Sequence, residues 1–183
     1  VLPGGAAGAG ALVSACGLSG LLGAPFGGWL TDRTDARFTA LVSGIISSVG
    51  LMAIPLALNG DVDAILHTTN SLVLDAPLLG GQLTSSAIAF TLVVLGWSLG
   101  ATAQGPALTA FAQEMAPLGS EATALALPRA AGDAAYIVAP FLLGLVADSM
   151  PTLQGIECAF AGLASLIGVA LFLALSDSDS DSD

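Results

Sequence analysis

Apolar residues in this chain come in long unbroken runs, and the polar ones gather in short islands between them. Five runs, at about residues 6–30, 38–58, 86–112, 122–146 and 156–175, each come near or exceed the roughly 20 residues that a helix needs to cross a hydrocarbon core about 30 Å thick. Backbone N–H and C=O groups in lipid must be satisfied within the segment, which makes helices the natural form. Strands of a membrane barrel would alternate over segments of about 10 residues, whereas these runs are continuous and rich in Gly, Ala and Leu. The pattern predicts an all-α membrane protein, a transmembrane bundle of about five helices within residues 1–175.

Two polar stretches lie outside the runs. Residues 59–85 carry Asp61, Asp63, His67, Asp75 and Pro77 and are too polar to span, so they read as a long aqueous loop. His67, alone among Thr and Asn, reads as a solvated loop residue rather than a ligand. From Ser176 the chain is a Ser-Asp repeat with nothing to bury, and residues 176–183 are expected to form a disordered acidic tail.

Composition agrees with the pattern. Hydrophobic residues make up 55% and charged residues only 9%, against the roughly 25% charged of a soluble domain, and the mean hydropathy is +0.88. The formal net charge of -11 comes with no lysine at all, which argues against nucleic acid as a partner. Cys16 and Cys158 lack the spacing of a metal or redox site and read as packing residues. The chain opens on Val1 and enters its first apolar run without a basic stretch, which does not look like a signal peptide and points to a piece of a longer chain.

Orientation follows from the cations. If five helices alternate across the bilayer, the loop holding Arg33 and Arg37, the segment near Arg129 and the C-terminus share one side, and the other side has acidic residues alone. The positive-inside rule then makes the arginine side cytoplasmic in a multi-pass protein of the cell membrane. Asp32 sits at a helix end on that surface, able to pair with Arg33 or Arg37 or to meet the positive N-terminus of a neighbouring helix. Gly27 and Gly28 are small enough to let helices approach closely there.

The stretch Gly28-Trp29-Leu30-Thr31-Asp32-Arg33-Thr34-Asp35-Ala36-Arg37 resembles the G-x-L-a-D-r-x-G-r-r signature of major facilitator superfamily transporters, found in the cytoplasmic loop after the second helix of each half. It departs at Asp35, where the family has Gly, and at Ala36, where it has a basic residue. Residues 127–149, with Arg129-x-x-Gly132-Asp133, Pro140 and a G-x-x-A-D exit at Asp148, are similar to the eleventh helix of the same superfamily. The resemblance implies a partial fold of that family, its helices eight to twelve, with helices two to six as the alternative register.

The resemblance further implies a secondary transporter that moves a small molecule by alternating access, efflux being one direction such transport takes. The missing N-terminal half of the same transporter would then be a partner, along with the lipid bilayer and the substrate. Gly28, Asp32, Arg33 and Arg37 would form a conformational latch. Arg129 and Asp133, one turn apart, would face each other as a static salt bridge or as a cytoplasmic gate. Candidate substrate-lining residues are Trp97, Gln104 and Tyr136, with Gly96 and Gly100 forming a G-x-x-x-G face; Trp97, placed near the outer end, fits an interface anchor equally well.

No Asp, Glu, Lys, Arg or His is placed in the middle of any span by this reading, so an ion-coupling group would lie in the missing half. No nucleophile–base pair, phosphate loop or metal cluster appears, so neither an enzyme nor a cofactor or metal site is expected. Two alternatives stand beside transport: a membrane scaffold recruiting partner helices through small-residue faces such as Gly20, Ala24 and Gly28, and an inactive remnant.

Overall fold

A computed structural model of the chain describes residues 5–59, 74–76, 81–83 and 85–180; His67 and the last three residues lie outside these. Five helices carry the fold: α1 (Gly5–Arg33), α2 (Ala36–Leu58), α3 (Ser85–Glu114), α4 (Glu121–Ser149) and α5 (Ile156–Ser180). All five are long and apolar enough to cross a membrane. The chain is an all-α helical bundle, as the run pattern predicts. Within the polar loop a small hairpin pairs β1 (Leu74–Ala76) with β2 (Gly81–Leu83), antiparallel, with Asp75 opposite Gln82.

The polar islands set the helix ends. Asp35 is extended (φ -163, ψ 145) and its carboxylate accepts the Arg37 backbone N–H at 3.3 Å, capping α2 after the shortest connection in the bundle. At the far end of α2 the Asn59 side chain donates to the Pro55 carbonyl at 2.7 Å and to the Gln154 carbonyl at 3.2 Å, tying α2 to the α4–α5 connection. Gly119 and Gly155, with φ of 86° and 80°, turn the chain just before α4 and α5 begin. α5 runs through Ser180, into the acidic stretch that the sequence assigns to a disordered tail. Extending an existing helix adds one hydrogen bond per residue and needs no new nucleus, so the Ser-Asp repeat continues what the apolar segment began.

The order of packing is not the order of the chain. α3 is central: α1 lies on one side of it and α2 on the other, α5 packs on the far side of α2, and α4 touches α3 and α5 lightly. α1 and α2, joined by the Asp35 turn, make only a slight direct contact.

Small residues make these contacts. Ala36, Ala40, Ala57, Ala87, Ala103 and Ala107 are buried, and the largest fully buried side chains are Thr39 and Ser48. Large apolar residues such as Leu21, Leu22, Phe26, Ile45, Val49 and Phe141 point outward. This inverts a soluble core. Lipid tails satisfy leucine and phenylalanine as well as another helix would, so close backbone approach and interhelical hydrogen bonds hold the helices instead.

The glycines locate the crossings. A Cβ on Gly27 would collide with the Ala103 carbonyl oxygen, and one on Gly23 would sit 2.9 Å from the Leu99 carbonyl, so α1 and α3 touch backbone to backbone. A Cβ on Gly100 would lie 2.7 Å from the Ser47 nitrogen, one on Gly50 2.9 Å from Trp97 Cα, and one on Gly162 2.8 Å from the Ser48 carbonyl. Pairings of residues 16 with 98 and 27 with 103 make α1 parallel to α3. Those of 50 with 97 and 44 with 104 make α2 antiparallel to α3, and those of 48 with 165 and 44 with 169 make α2 antiparallel to α5. The helix senses therefore alternate.

Two sequence expectations change here. Gly96 has nothing within 4 Å of a would-be Cβ, so Gly100 alone, not a Gly96–Gly100 face, makes the close contact. On α1 the contacting set is Gly20, Gly23 and Gly27, whereas Gly28 meets only the Pro106 side chain at 4.0 Å. A crossing angle between helices shifts the contact from a strict four-residue row, and spacing alone does not report that angle.

Candidate functional site

Gly28, Asp32, Arg33 and Arg37 come together at one end of the bundle, where α1 turns into α2. The two arginines do not simply project into solvent. The Arg33 guanidinium lies 4.9 Å from the centroid of the Trp29 ring, one turn back on α1, and Trp29 stacks on Phe26 at 5.8 Å. The Arg37 guanidinium lies 5.5 Å from the Phe111 ring on α3, which meets Phe172 of α5 edge-on at 5.0 Å. A chain of contacts thus runs from the loop through α3 to α5, with cation–π attraction as its first link.

Asp32 is exposed at the last turn of α1. Asp35, one of the two departures from the family signature, has the clearest structural task in the loop, as the α2 cap. An Asp directly before an apolar helical run is a cap signal on its own. Phe111 carried no such signal, because its role depends on where α3 lies relative to α2.

Gln104 sits ten residues before the end of the 30-residue α3 at Glu114, about 15 Å along the axis, and so within the span. It faces a groove of about 340 Å³ between α2, α3 and α5, lined also by Leu41, Ser165 and Phe172. Its amide has no hydrogen-bond partner among the described residues. The neighbouring polar groups are engaged already: the Ser48 hydroxyl lies 2.7 Å from the Gly44 carbonyl and 2.8 Å from the Ser165 hydroxyl, and Ser43 donates to the Thr39 carbonyl at 2.6 Å. A free amide donor and acceptor within the span is equipped to bind a polar group that enters the groove.

Trp97 and Gln104 are seven residues apart on the α2-facing side of α3, against Gly50 and Gly44. Trp97 lies twelve residues past Ser85, about 18 Å from that end of α3. That places it well inside the span rather than at the outer end where the sequence reading set it, and takes it from the depth of an interface anchor.

Tyr136 does not join these two. It is 81% exposed on α4, a helix without a single buried residue. Arg129 and Asp133 are exposed on the same helix, one turn apart, with no hydrogen bond or ion pair joining them among the described residues. Arg129 borders a groove of about 370 Å³ between α3 and α4, with Gly105 and Thr109 across from it.

Asp133 lies near one edge of its span. It lies twelve residues into the 29-residue α4. Counting roughly 20 residues back from Asp148 puts one edge of the hydrocarbon core near Arg129, with Asp133 one turn inside it and Tyr136 two. By that count a carboxyl group lies one turn inside the edge of the span, not in its middle.

Among the described residues no group of His, Cys, Asp and Glu is arranged to hold a metal ion. Compared with models of protein families, with curated proteins and with solved structures, the chain matches none.

Proposed function

We propose that this chain is part of a secondary transporter that moves a small molecule across the cell membrane by alternating access, corresponding to helices eight to twelve of the major facilitator pattern. The observation that carries the reading is Gln104: a hydrogen-bonding side chain within a span, without a partner among the described residues, in a groove between three helices. Substrate sites of secondary transporters lie near the bilayer midplane, where such a group serves binding and not solubility. The resemblance of Gly28–Arg37 to the superfamily signature supports the same reading.

In this proposal the Arg33–Arg37 loop is cytoplasmic, no enzymatic step is involved, and helices outside this chain supply the other wall of the cavity. Of the residues in the scaffold alternative, Gly20 already packs on Thr102 of α3, whereas Gly28 meets only the Pro106 side chain at 4.0 Å.

The loop acts as a latch. Asp32 and Arg33 lie about half a bilayer thickness, roughly 15 Å, from a midplane site, so they cannot touch substrate there. A charged contact made in only one of the two access states still biases the equilibrium between them. A partly exposed contact is worth on the order of 1 kcal/mol, a several-fold change in population.

The test is flux through proteoliposomes holding the complete gene product, against a panel of labelled sugars, organic anions and lipophilic cations under ion gradients of either sign. At least one solute should show saturable flux. Gln104→Ala should raise its half-saturating concentration several-fold, and Asp32→Asn should lower the maximal rate with intrinsic substrate contacts intact. Absence of saturable flux for every solute overturns the proposal, and unchanged kinetics in either variant overturn the role given to that residue.

A further inference from the structure

The groove that Gln104 faces is polar at one end and apolar at the other. Gln104 and Ser165 mark the polar end, and Leu41, Leu108 and Phe172 line the other. Phe172 lies seven residues past Ser165 on α5, about 10 Å along the axis, a length that suits a flat body of two fused rings. Among the described residues no titratable side chain lines the groove. Arg37, one turn before Leu41 on α2, is turned to the Phe111 ring instead. A charge brought between these helices would leave water without meeting a counter-charge, at a large cost.

The polar end offers donors and acceptors together. A Cβ on Gly44 would lie 3.2 Å from Gln104 Nε2, so the Gln104 amide rests against bare backbone of α2. One turn further along α2, about 6 Å away, the Ser48 hydroxyl lies 2.8 Å from that of Ser165. Whichever hydroxyl donates in that pair, Ser165 keeps a lone pair with which to accept. The Gln104 amide brings two N–H donors and a carbonyl acceptor, without a partner among the described residues.

We infer that the groove takes an uncharged molecule carrying a primary carboxamide on a flat apolar body. One edge of a carboxamide presents a carbonyl oxygen beside an N–H, and it pairs with the Gln104 amide through two N–H···O=C bonds, one in each direction. Its remaining N–H is left for the Ser165 hydroxyl. The apolar body lies along Leu41 and Leu108 against the Phe172 ring. An anion finds no cation in this lining and a cation finds no carboxylate, so charged analogues are turned away. The inference rests on the reading of this groove as a transporter's substrate site and names what that site takes, while binding itself is measured without flux.

Naphthamide, naphthoate and methyl naphthoate share one ring system and differ in the group the site reads: a neutral carboxamide, an anion, and a neutral ester without an N–H. The complete gene product in nanodiscs should bind labelled naphthamide saturably. Methyl naphthoate should compete at least tenfold more weakly, because it leaves the Gln104 carbonyl unpaired, and naphthoate should not compete at all. Gln104→Leu should weaken naphthamide binding at least tenfold and Ser165→Ala several-fold, whereas Thr109→Val, in the separate groove between α3 and α4, should leave it unchanged. Gly168 borders the Gln104 groove and a Cβ there meets nothing within 4 Å, so Gly168→Leu should block binding with thermal stability kept. Absence of saturable naphthamide binding, equal competition by the ester or the anion, or unchanged affinity in Gln104→Leu or Gly168→Leu each overturns the inference. Saturable binding that Gln104→Leu removes, without flux of any solute, keeps the carboxamide site and removes the transport reading. Flux that Gln104→Ala impairs but naphthamide does not inhibit does the reverse.

Discussion

At the residue scale, the smallest side chains carry the most structural information. Gly27 and Gly17 look alike in the sequence, both inside one apolar run. In the fold, a Cβ on Gly27 would strike the Ala103 backbone, while one on Gly17 meets nothing within 4 Å. Gly27→Ala should therefore force α1 off α3 and destabilise the protein by about 1–3 kcal/mol, the usual range for overpacking, whereas Gly17→Ala should be neutral or slightly stabilising. Thermal unfolding in detergent, followed by fluorescence, separates the two. Asp35→Ala removes the cap of α2 and should lower stability by about 1 kcal/mol, with Asp35→Asn close to neutral. The cap could be read from residue type and position, although in the sequence Asp35 stood out only as a departure from the transporter signature. The glycine contacts were not, since nothing along the chain says which face of a helix a distant helix will cover.

At the element scale, the boundaries of the spans could be read within a few residues, because a polar island ends an apolar run wherever it occurs. Alternating helix senses put the Asp35 turn and the α4–α5 connection on opposite sides of the membrane, and the arginine loop is proposed to be cytoplasmic. In intact cells, and in a protein lacking its native cysteines, Thr152→Cys should be labelled by an impermeant thiol reagent and Thr34→Cys should not. Labelling of Thr34→Cys alone would invert the orientation.

At the scale of the whole molecule, the order in which the helices pack is the main result. α3 is not α1's neighbour in the chain, yet it is what α1 chiefly touches, through Ser19 to the Leu95 carbonyl and Ser98 to the Cys16 carbonyl, each 3.0 Å. α2 and α5, likewise distant in the chain, meet at Ser48 and Ser165. Ser48→Cys with Ser165→Cys, again without Cys16 and Cys158, should form a disulfide under mild oxidation. Cleavage in the 59–85 loop would then leave two fragments joined until a reductant is added. Two separate fragments would contradict this order of packing.

What the sequence determined by itself is what depends on the solvent: which segments enter lipid, that they are helical, and where polar islands interrupt them. Transfer to hydrocarbon acts on each segment alone, through its apolar length and its need to satisfy its own backbone. What only the tertiary structure decided is what depends on pairs of segments: Gly27 against Ala103, Arg37 over Phe111, Gln104 facing a groove, and Asp133 on an uncovered face. In a bilayer no hydrophobic gain marks one helix face as the inner one, so the contacts follow from shape and hydrogen bonding between residues far apart in the chain.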